Sequence, residues 1–511
     1  MNLRTVKDEK MALLCIDVGT TMVKAVIFDE EGHEVKIARQ GTVVIRTLPG
    51  HSEQDMYAVW DAVVFAVQTA VHQFQDIISS VSITGQGDGC WLVDEEGKPT
   101  GPAVLWNDAR AKSIVEEWDS GGLLEALYKI NGNQAFPGTS SAILQWFHDN
   151  DQERLERSYK ALYCTGWIYL RLTGQFSVDE TDAASPYLDL EAGEYSTKIQ
   201  ELLNQNWVFR LLPKVKRDGS RVEPLLENVA AEMRLSPGIP VVLGPFDIPI
   251  TAIGIGATEP NQACTILGTT LSTDIILDRF NPQSPVAGMT LPSGVPGTFT
   301  KSLAAMAGVE IVTWCMNLMN LTEPDELSIV ANEADPGSKG LLFFPFMSPA
   351  GERAPFLDVQ ARGSLHGLTF EHGRPEIARA ILEGMSYSIR HCLNFGSIKI
   401  TELRLSGGGA NSEFWCQLLA DITEVPTMRS VDSELGAKGA FLVAQVELGR
   451  SLNMTQAVEK FVHVRDVFQP IPENVVKYQS FFSTYLALLE RQREQWPILS
   501  AIEHQPIREG R

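Results

Sequence analysis

Apolar residues fall in short blocks separated by polar turns, and the blocks predict strands and helices in alternation. The clearest block is 14–29, LCIDVGTTMVKAVIFD. Leu14 and Ile16 lead into a polar turn, and Val23, Ala25, Val26, Ile27 and Phe28 lead out of it, which predicts two strands joined tightly. Gly19 permits backbone angles closed to other residues. Thr20 and Thr21 offer hydroxyls and backbone N–H groups to an anion. Asp17, at the strand end, is placed to hold a metal or its water shell, and Lys24 adds positive charge just beyond. Taken alone, the string fits an ordinary hairpin with a polar turn equally well.

The block recurs. Residues 263–278 read ACTILGTTLSTDIILD, a shift of 249 positions that takes Gly19 to Gly268. Cys15/Cys264, Thr20/Thr269, Thr21/Thr270, Ile27/Ile276 and Asp29/Asp278 match as well. A strand–GTT–strand unit at the start of each half predicts a duplication, with two domains pointing a hydroxyl-rich turn at one cleft. Ile266 stands where the first copy has Asp17, so a metal-side carboxylate belongs to the first half only.

Further along, the pattern predicts helices over 56–74, 123–129 and 142–148, a helix end over 169–174 capped by Gly174, and strands over 78–83 and 240–243. In the second half it predicts helices over 304–319, 376–393, 412–422, 434–448 and 474–495, and strands over 340–346 and 403–405. This is an α/β pattern throughout.

Length and charge narrow the classes. A chain of 511 residues exceeds one core, and two domains of about 250 residues each fit the usual limits. A net charge of -22 argues against nucleic acid or an anionic membrane surface as partner. No apolar run reaches membrane-span length, and the polar start MNLRTVKDEKM lacks a signal-peptide core. Seven scattered cysteines without a CxxC pair read as buried or free thiols of a reducing cytoplasm.

Four clusters carry candidate chemistry. Thr84-Gly85-Gln86-Gly87-Asp88-Gly89 follows a strand, and Trp106-Asn107-Asp108-Ala109-Arg110 adds an aromatic face beside hydroxyl-binding groups. That mixture suits a polyol; a turn with a solvated Asp is the plain alternative. Gly244-Pro245-Phe246-Asp247 puts a carboxylate at a strand end, fit either to take a proton from a hydroxyl or to cap a helix. Gly351-Glu352-Arg353-Ala354-Pro355, with Ala361-Arg362-Gly363, reads as a salt-bridged loop. Ser406-Gly407-Gly408-Gly409-Ala410-Asn411 bares backbone for a flat ring, or is a flexible turn.

Together these motifs resemble the FGGY carbohydrate kinases, whose two domains share the ribonuclease-H-like fold of actin, hexokinase and Hsp70. The likeness runs from about Leu13 to Val443 through DVGTTMVKAVIFD, EQD, GQGDG, LWNDARA, RLTG, TDAAS, GPFD, GTT, GERAP and SGGGAN, in family order. It implies a first domain over 1–256 for sugar and phosphate, a second over 257–511 for nucleotide, and a central cleft. It implies ATP and Mg2+ as cofactors and a small polyol or ketose as substrate. By position, Asp17, Gly19, Thr20, Thr21 and Lys24 face the phosphates, with Asp17 on the metal. Gly268 and Thr269 meet the phosphates from the second domain. Gly308, Gly408, Gly409, Ala410 and Asn411 bind nucleotide. Gln86, Asp88, Trp106 and Asp108 bind the acceptor, and Asp247 is the catalytic base that also touches it.

Departures bear on the substrate. Gly87 stands where glycerol kinases carry Arg and xylulokinases Met, and this reads as room for more than three carbons. Asp88 replaces their Glu or His, Ile248 a common Gln or Asn, Met22 a common Ser, and Gly166 a usual Asp. The GQGDG–Trp and LWNDARA pattern looks most like the erythritol-kinase branch, with a ketopentose kinase as alternative. A nucleotide-gated binding protein on the same fold is the non-enzyme alternative, and a homodimer is among the assemblies left open.

Overall fold

The structure, a computed structural model, describes residues 11–268, 271–395 and 398–503. Its two large sheets repeat one strand order. In the first, Met11–Val18 lies antiparallel to Met22–Phe28, which lies antiparallel to Glu34–Gly41. On its other side Met11–Val18 runs parallel to Ile77–Gly85 and then Pro240–Leu243, with Val222–Pro224 antiparallel at the edge. In the second sheet Gln262–Leu267 takes the place of Met11–Val18. It lies antiparallel to Leu271–Leu277, followed by Phe299–Ala304 and Met289–Pro292. It runs parallel to Glu402–Ser406 and then Thr427–Ser430, with Val464–Phe468 antiparallel at the edge. The repeated GTT string is therefore a repeat of topology, and the fold is the two-domain α/β architecture of actin and hexokinase.

Most predicted helices are present with shifted ends. The 56–74 helix is Met56–Val71: the Asp55 carboxylate caps it by accepting from Tyr57 N at 2.9 Å and Ala58 N at 3.2 Å, and its stripe Val59, Trp60, Val63, Ala66, Val67 and Ala70 is buried. It stops early because Gln73 turns to φ +59°. Cys164–Thr173 ends on Gly174 at φ +77°, as its sequence predicts. The 304–319 helix begins only at Val309. Residues 299–304 are instead a strand beside the second hairpin, and Gly308, at φ -134° and ψ -121°, breaks the run. The 340–346 strand shortens to Leu342–Phe344, and Arg374–Leu393, Leu435–Glu447 and Pro472–Arg493 match their predictions to within a few residues.

Each sheet has its own core, and residues between 90 and 211 add a third around Leu127, Phe147 and Tyr187. A fourth joins the halves. Leu435–Glu447, from the second half of the sequence, packs Ala437, Ala440 and Phe441 on Leu13, Cys15 and Val242 of the first sheet. Asp247–Ile255 crosses it, touching the second sheet through Ala252, Ile255 and Cys264. All seven cysteines are free and buried. Among the described residues, no helix is long and apolar enough to cross a membrane.

The crossing is made by glycines. A Cβ on Gly254 would sit 1.9 Å from Leu435 O, and one on Gly439 would sit 2.0 Å from Ile250 O. Helix propensity alone favours Ala over Gly by about 1 kcal/mol, but overpacking a closed contact costs about 1–3 kcal/mol or more. Gly439→Ala is therefore expected to destabilise the protein and lower turnover, since the helices must part. Urea unfolding and a turnover assay on the same variant check this; a variant as stable as the parent contradicts the contact.

Candidate active site

The first turn closes through Gly19 N donating to Met22 O at 3.0 Å. Hairpin register sets Asp17 opposite Lys24 and, across the parallel neighbour, beside Thr84. Lys24 Nζ lies 3.7 Å from Asp17 Oδ2 and 2.8 Å from Glu434 Oε2, and Arg39 also pairs with Glu434. Burial pushes the Asp17 carboxyl up and Glu434 adds to it, while Lys24 pulls it down. Burial works against the Lys24 charge, yet Asp17 and Glu434 outweigh it and hold the ammonium above its usual value. Lys24 is thus spoken for by two carboxylates rather than free at the turn. Gly436, in the first turn of Leu435–Glu447, lies against Asp17: a Cβ there would be 3.1 Å from Oδ2.

The Thr20 hydroxyl is also spoken for. It donates to Gln86 Oε1 at 2.8 Å and accepts from Trp106 Nε1 at 3.0 Å. Gln86 Nε2 donates to Gln54 Oε1 at 2.9 Å, and Gln54 Nε2 donates to Thr20 O at 2.8 Å. Gln86 is buried. It ties the phosphate turn to the acceptor loop and, contrary to its sequence reading, does not present its amide to the cleft. Thr21 is exposed. The Trp106 ring is 39% exposed and offers a face.

Asp108 requires the same correction. Its side chain is buried, accepting from Ser52 N at 2.6 Å, Arg110 N at 2.8 Å, and Arg110 Nε and Nη2 at 2.9 and 3.0 Å. Arg110 in turn bonds Glu53 at 2.6 Å and lies over the Trp146 ring at 5.0 Å. Asp108 is a strut of the loop; loop sequence alone could not tell an inward carboxylate from an outward one.

Asp88 and Asp247 lie within electrostatic reach of each other. Asp88 is buried at φ +52° and accepts from Ser185 Oγ at 2.5 Å. Burial pushes its carboxyl up to about 6, against the pull of Ser185 and Arg353. Asp247 is the first residue of its helix, and the cap is Phe246, so the N-cap alternative does not hold. The residue is exposed. Desolvation by the protein around it, then repulsion from Asp17 and Asp88, pushes Asp247 up to about 7. Asp182, buried with Oδ1 unpartnered, is pushed well up by burial and repelled by Asp88 and Asp247.

Gly87 does not leave room. A Cβ built on it would fall 2.3 Å from the Phe246 ring, so the neighbouring motif fills the space beside it. Phe246 is itself buried, and its N–H donates to Thr181 Oγ1 at 3.2 Å. The wider-pocket expectation is overturned by a residue distant in sequence.

On the second domain, Val309 N donates to Gly268 O at 2.8 Å, which sets Gly308 beside the second turn. Thr269 lies outside the described residues. Gly408–Asn411 forms a short helical turn whose Gly407 and Gly409 press on Leu267, next to Gly268, while a Cβ on Gly408 would meet nothing within 4 Å. Ala410 is buried and Asn411 exposed. Bare backbone facing open space next to an anion-binding turn suits a nucleotide. Asp17, partly exposed beside the turn, fits a Mg2+ that keeps waters and shares phosphate oxygens. Among the described residues there is no cluster of three acidic, His or Cys side chains that could hold a metal ion.

Sequence reading passed over Ser185, Asp182, Phe246 and Glu434, although the first three lie in quoted motifs. Position beside a motif's acidic residue was the available signal; Glu434 had none.

Comparison with known proteins agrees with this geometry. The FGGY family of carbohydrate kinases matches with its N-terminal domain over residues 12–254 and its C-terminal domain over 263–448. The chain is 28% identical over 471 residues to erythritol kinase of Brucella abortus, covering 88% of this chain and 90% of that one. It is 30% identical over 442 residues to xylulose kinase of Escherichia coli, covering 84% and 89%. A ligand-bound xylulose kinase structure from Lactobacillus acidophilus superposes at a TM-score of 0.88 with 25% identity, covering 96% of this chain and all of that one.

Asp108→Asn separates strut from ligand. Loss of charge from hydrogen bonds to Arg110 is expected to cost about 1.5–3 kcal/mol of stability, with little change in the acceptor KM. Urea unfolding and acceptor kinetics decide: a tenfold KM rise at unchanged stability would return Asp108 to the acceptor site.

Proposed function

The chain belongs to the FGGY family of carbohydrate kinases and is an ATP-dependent carbohydrate kinase working with Mg2+; from that premise we propose that it phosphorylates a terminal hydroxyl of a tetritol such as erythritol. The observation that carries the reading is Asp247: exposed in the first turn of its helix, within electrostatic reach of Asp17 and Asp88, and shifted to about 7. A base with that value is half-ionised near neutral pH, the useful range for taking a hydroxyl proton.

In this reading Asp247 accepts the proton of the attacking hydroxyl while Asp88 accepts from others and the Trp106 ring covers the carbon chain. The backbone N–H groups of the Gly19 and Gly268 turns receive phosphate oxygens from opposite sides. Lys24, clamped by Glu434, favours an ionised Asp17, which would hold the metal; Mg2+ when bound neutralises phosphate charge. Phe246 over Gly87 shortens the pocket, which supports four carbons over five. The erythritol-kinase relative agrees, while the several xylulose and L-xylulose kinases among the relatives support a ketopentose as second reading.

The substrate is tested by ADP release over glycerol, erythritol, other tetritols, pentitols and pentuloses. A tetritol is expected to give the highest kcat/KM. A pentulose ahead of it selects the second reading, and glycerol ahead of both contradicts the four-carbon pocket. Asp247→Asn is expected to lower kcat about 10²–10⁴-fold with ATP binding nearly unchanged. In the parent, kcat/KM at limiting substrates is expected to rise with pH through about 7, a limb absent from the variant. The stability sign follows from the raised value: protonated Asp247 stabilises the fold fully below pH about 4, and this is lost as pH rises through about 7. The melting temperature of Asp247→Asn at pH 8 is thus expected to equal or exceed the parent's.

A further inference from the structure

Gln54 has no part in the chemistry described so far, yet it is wholly buried against the phosphate turn and both polar atoms of its side chain are bonded. It lies on the short strand Glu53–Gln54, which pairs with Ala103–Val104 just ahead of the loop that carries Trp106. Its amide has one workable orientation. Nε2 donates to Thr20 O at 2.8 Å, and a carbonyl can only accept, so Oε1 is the atom left for Gln86. Gln86 must then turn Nε2 toward Gln54, at 2.9 Å, and Oε1 toward Thr20. That oxygen takes the single proton of the Thr20 hydroxyl, at 2.8 Å. The Thr20 oxygen keeps lone pairs, and it accepts from Trp106 Nε1 at 3.0 Å, an indole N–H that can only donate.

Direction therefore runs one way, from a backbone carbonyl at one end to an indole at the other, and turning over either amide would set like groups against each other. The origin is firm, because Thr42 Oγ1 also donates to Thr20 O at 2.8 Å. The Thr20 hydroxyl has no proton left for a phosphate, so the turn meets that anion with backbone N–H groups and the exposed Thr21. At the far end the main chain around Trp106 is held closely. Leu105 N donates to Ser52 O at 2.9 Å, Ala109 N donates to Gly50 O at 2.7 Å, and a Cβ on Gly138 would fall 1.6 Å from Trp106 O. The side chain itself is more than a third exposed, so packing does not enclose it and the bond to Thr20 selects among its rotamers.

We propose that Gln54, Gln86 and Thr20 are positioning residues for the acceptor: a one-way hydrogen-bond relay that holds the Trp106 ring in the orientation that covers the acceptor's carbon chain. The Thr20 hydroxyl then acts on the acceptor through the ring, not on phosphate directly. Thr20 is still part of the phosphate turn, so its substitution reaches ATP as well, and the relay accounts for the acceptor share of the effect. The inference rests on the reading of the Trp106 ring as an acceptor surface.

The test uses Thr20→Val, Thr20→Ser, Gln54→Met, Trp106→Phe, Trp106→Ala and Thr20→Val/Trp106→Phe in the whole protein, with the best acceptor of the panel and melting temperatures to confirm folding. Thr20→Val keeps the shape and loses the hydroxyl, and it is expected to raise the acceptor KM about 3- to 10-fold, the worth of one hydrogen bond. Thr20→Ser is expected to recover most of that loss. Gln54→Met frees the Gln86 amide to turn over and is expected to raise the acceptor KM in the same direction. Trp106→Phe keeps a ring without an N–H. In that background Thr20→Val is expected to change the acceptor KM by less than about twofold, while its effect on the ATP KM is the same in both backgrounds. The indole N–H resonance that Trp106→Phe removes from the NMR spectrum is expected to shift in Thr20→Val and to hold its place in Thr20→Ser. An acceptor effect of Thr20→Val that persists in full beside Trp106→Phe, an unmoved indole resonance, or a parent-like acceptor KM in Gln54→Met would overturn the relay. If Trp106→Ala leaves the acceptor KM unchanged, the ring is no acceptor surface and the relay falls with that reading. If Trp106→Ala raises it and Thr20→Val does not, the relay alone falls.

Discussion

The site hangs on the crossing of two helices at backbone contact. Asp247–Ile255 leaves the first sheet and Leu435–Glu447 returns to it, and they meet through Gly254 and Gly439 with no side chain between. The start of one helix carries Asp247; the start of the other lays Gly436 against Asp17. Both helix N-termini, with their partial positive charge, therefore sit beside the carboxylates of the site. A wider crossing would pull Asp247 and Asp17 apart, because each is fixed in the first turn of, or directly against, its helix.

That placement concentrates negative charge. Asp17, Asp88, Asp182 and Asp247 are all desolvated, and repulsion from the other carboxylates adds to what burial does at Asp182 and Asp247. Only Asp17 has a lysine at hand, and that lysine is shared with Glu434. This gathering of carboxylates is an electrostatic cost to the fold, relieved by protons or by a cation arriving with phosphate. Desolvation first, and repulsion from Asp17 and Asp88 after it, raises Asp247 to about 7, a useful strength for a base near neutral pH.

Around this floor, polar side chains serve as couplings. Thr20 links the phosphate turn to Gln86 and Trp106, so the nucleotide side and the acceptor side share one hydrogen-bonded unit. Asp108 and Arg110 brace the loop that carries Trp106. Substitutions in such a unit are expected to act on both substrates together, unlike those at Asp247.

The repeated GTT string and the α/β alternation follow from local rules, and a turn needs glycine and hydroxyls wherever it lies. By itself the sequence therefore determined the duplication, most helices, the asymmetry of Asp17 against Ile266, and Asp247 as the candidate base. Direction and partnership were decided by tertiary structure alone. Asp108 and Gln86 have the chemistry of ligands, but burial and bonds to Arg110, Thr20 and Gln54 spend it. Gly87 looked like vacant space until the chain 159 positions later brought Phe246 onto it. Arg353 sat in a motif with Glu352 beside it, yet the carboxylate turned to backbone N–H groups and the guanidinium to Ala304 O. Periodicity records which residues are near in sequence; which oxygen or ring fills a given space depends on contacts between segments hundreds of residues apart, and those exist only once both sheets have closed on the crossed helices.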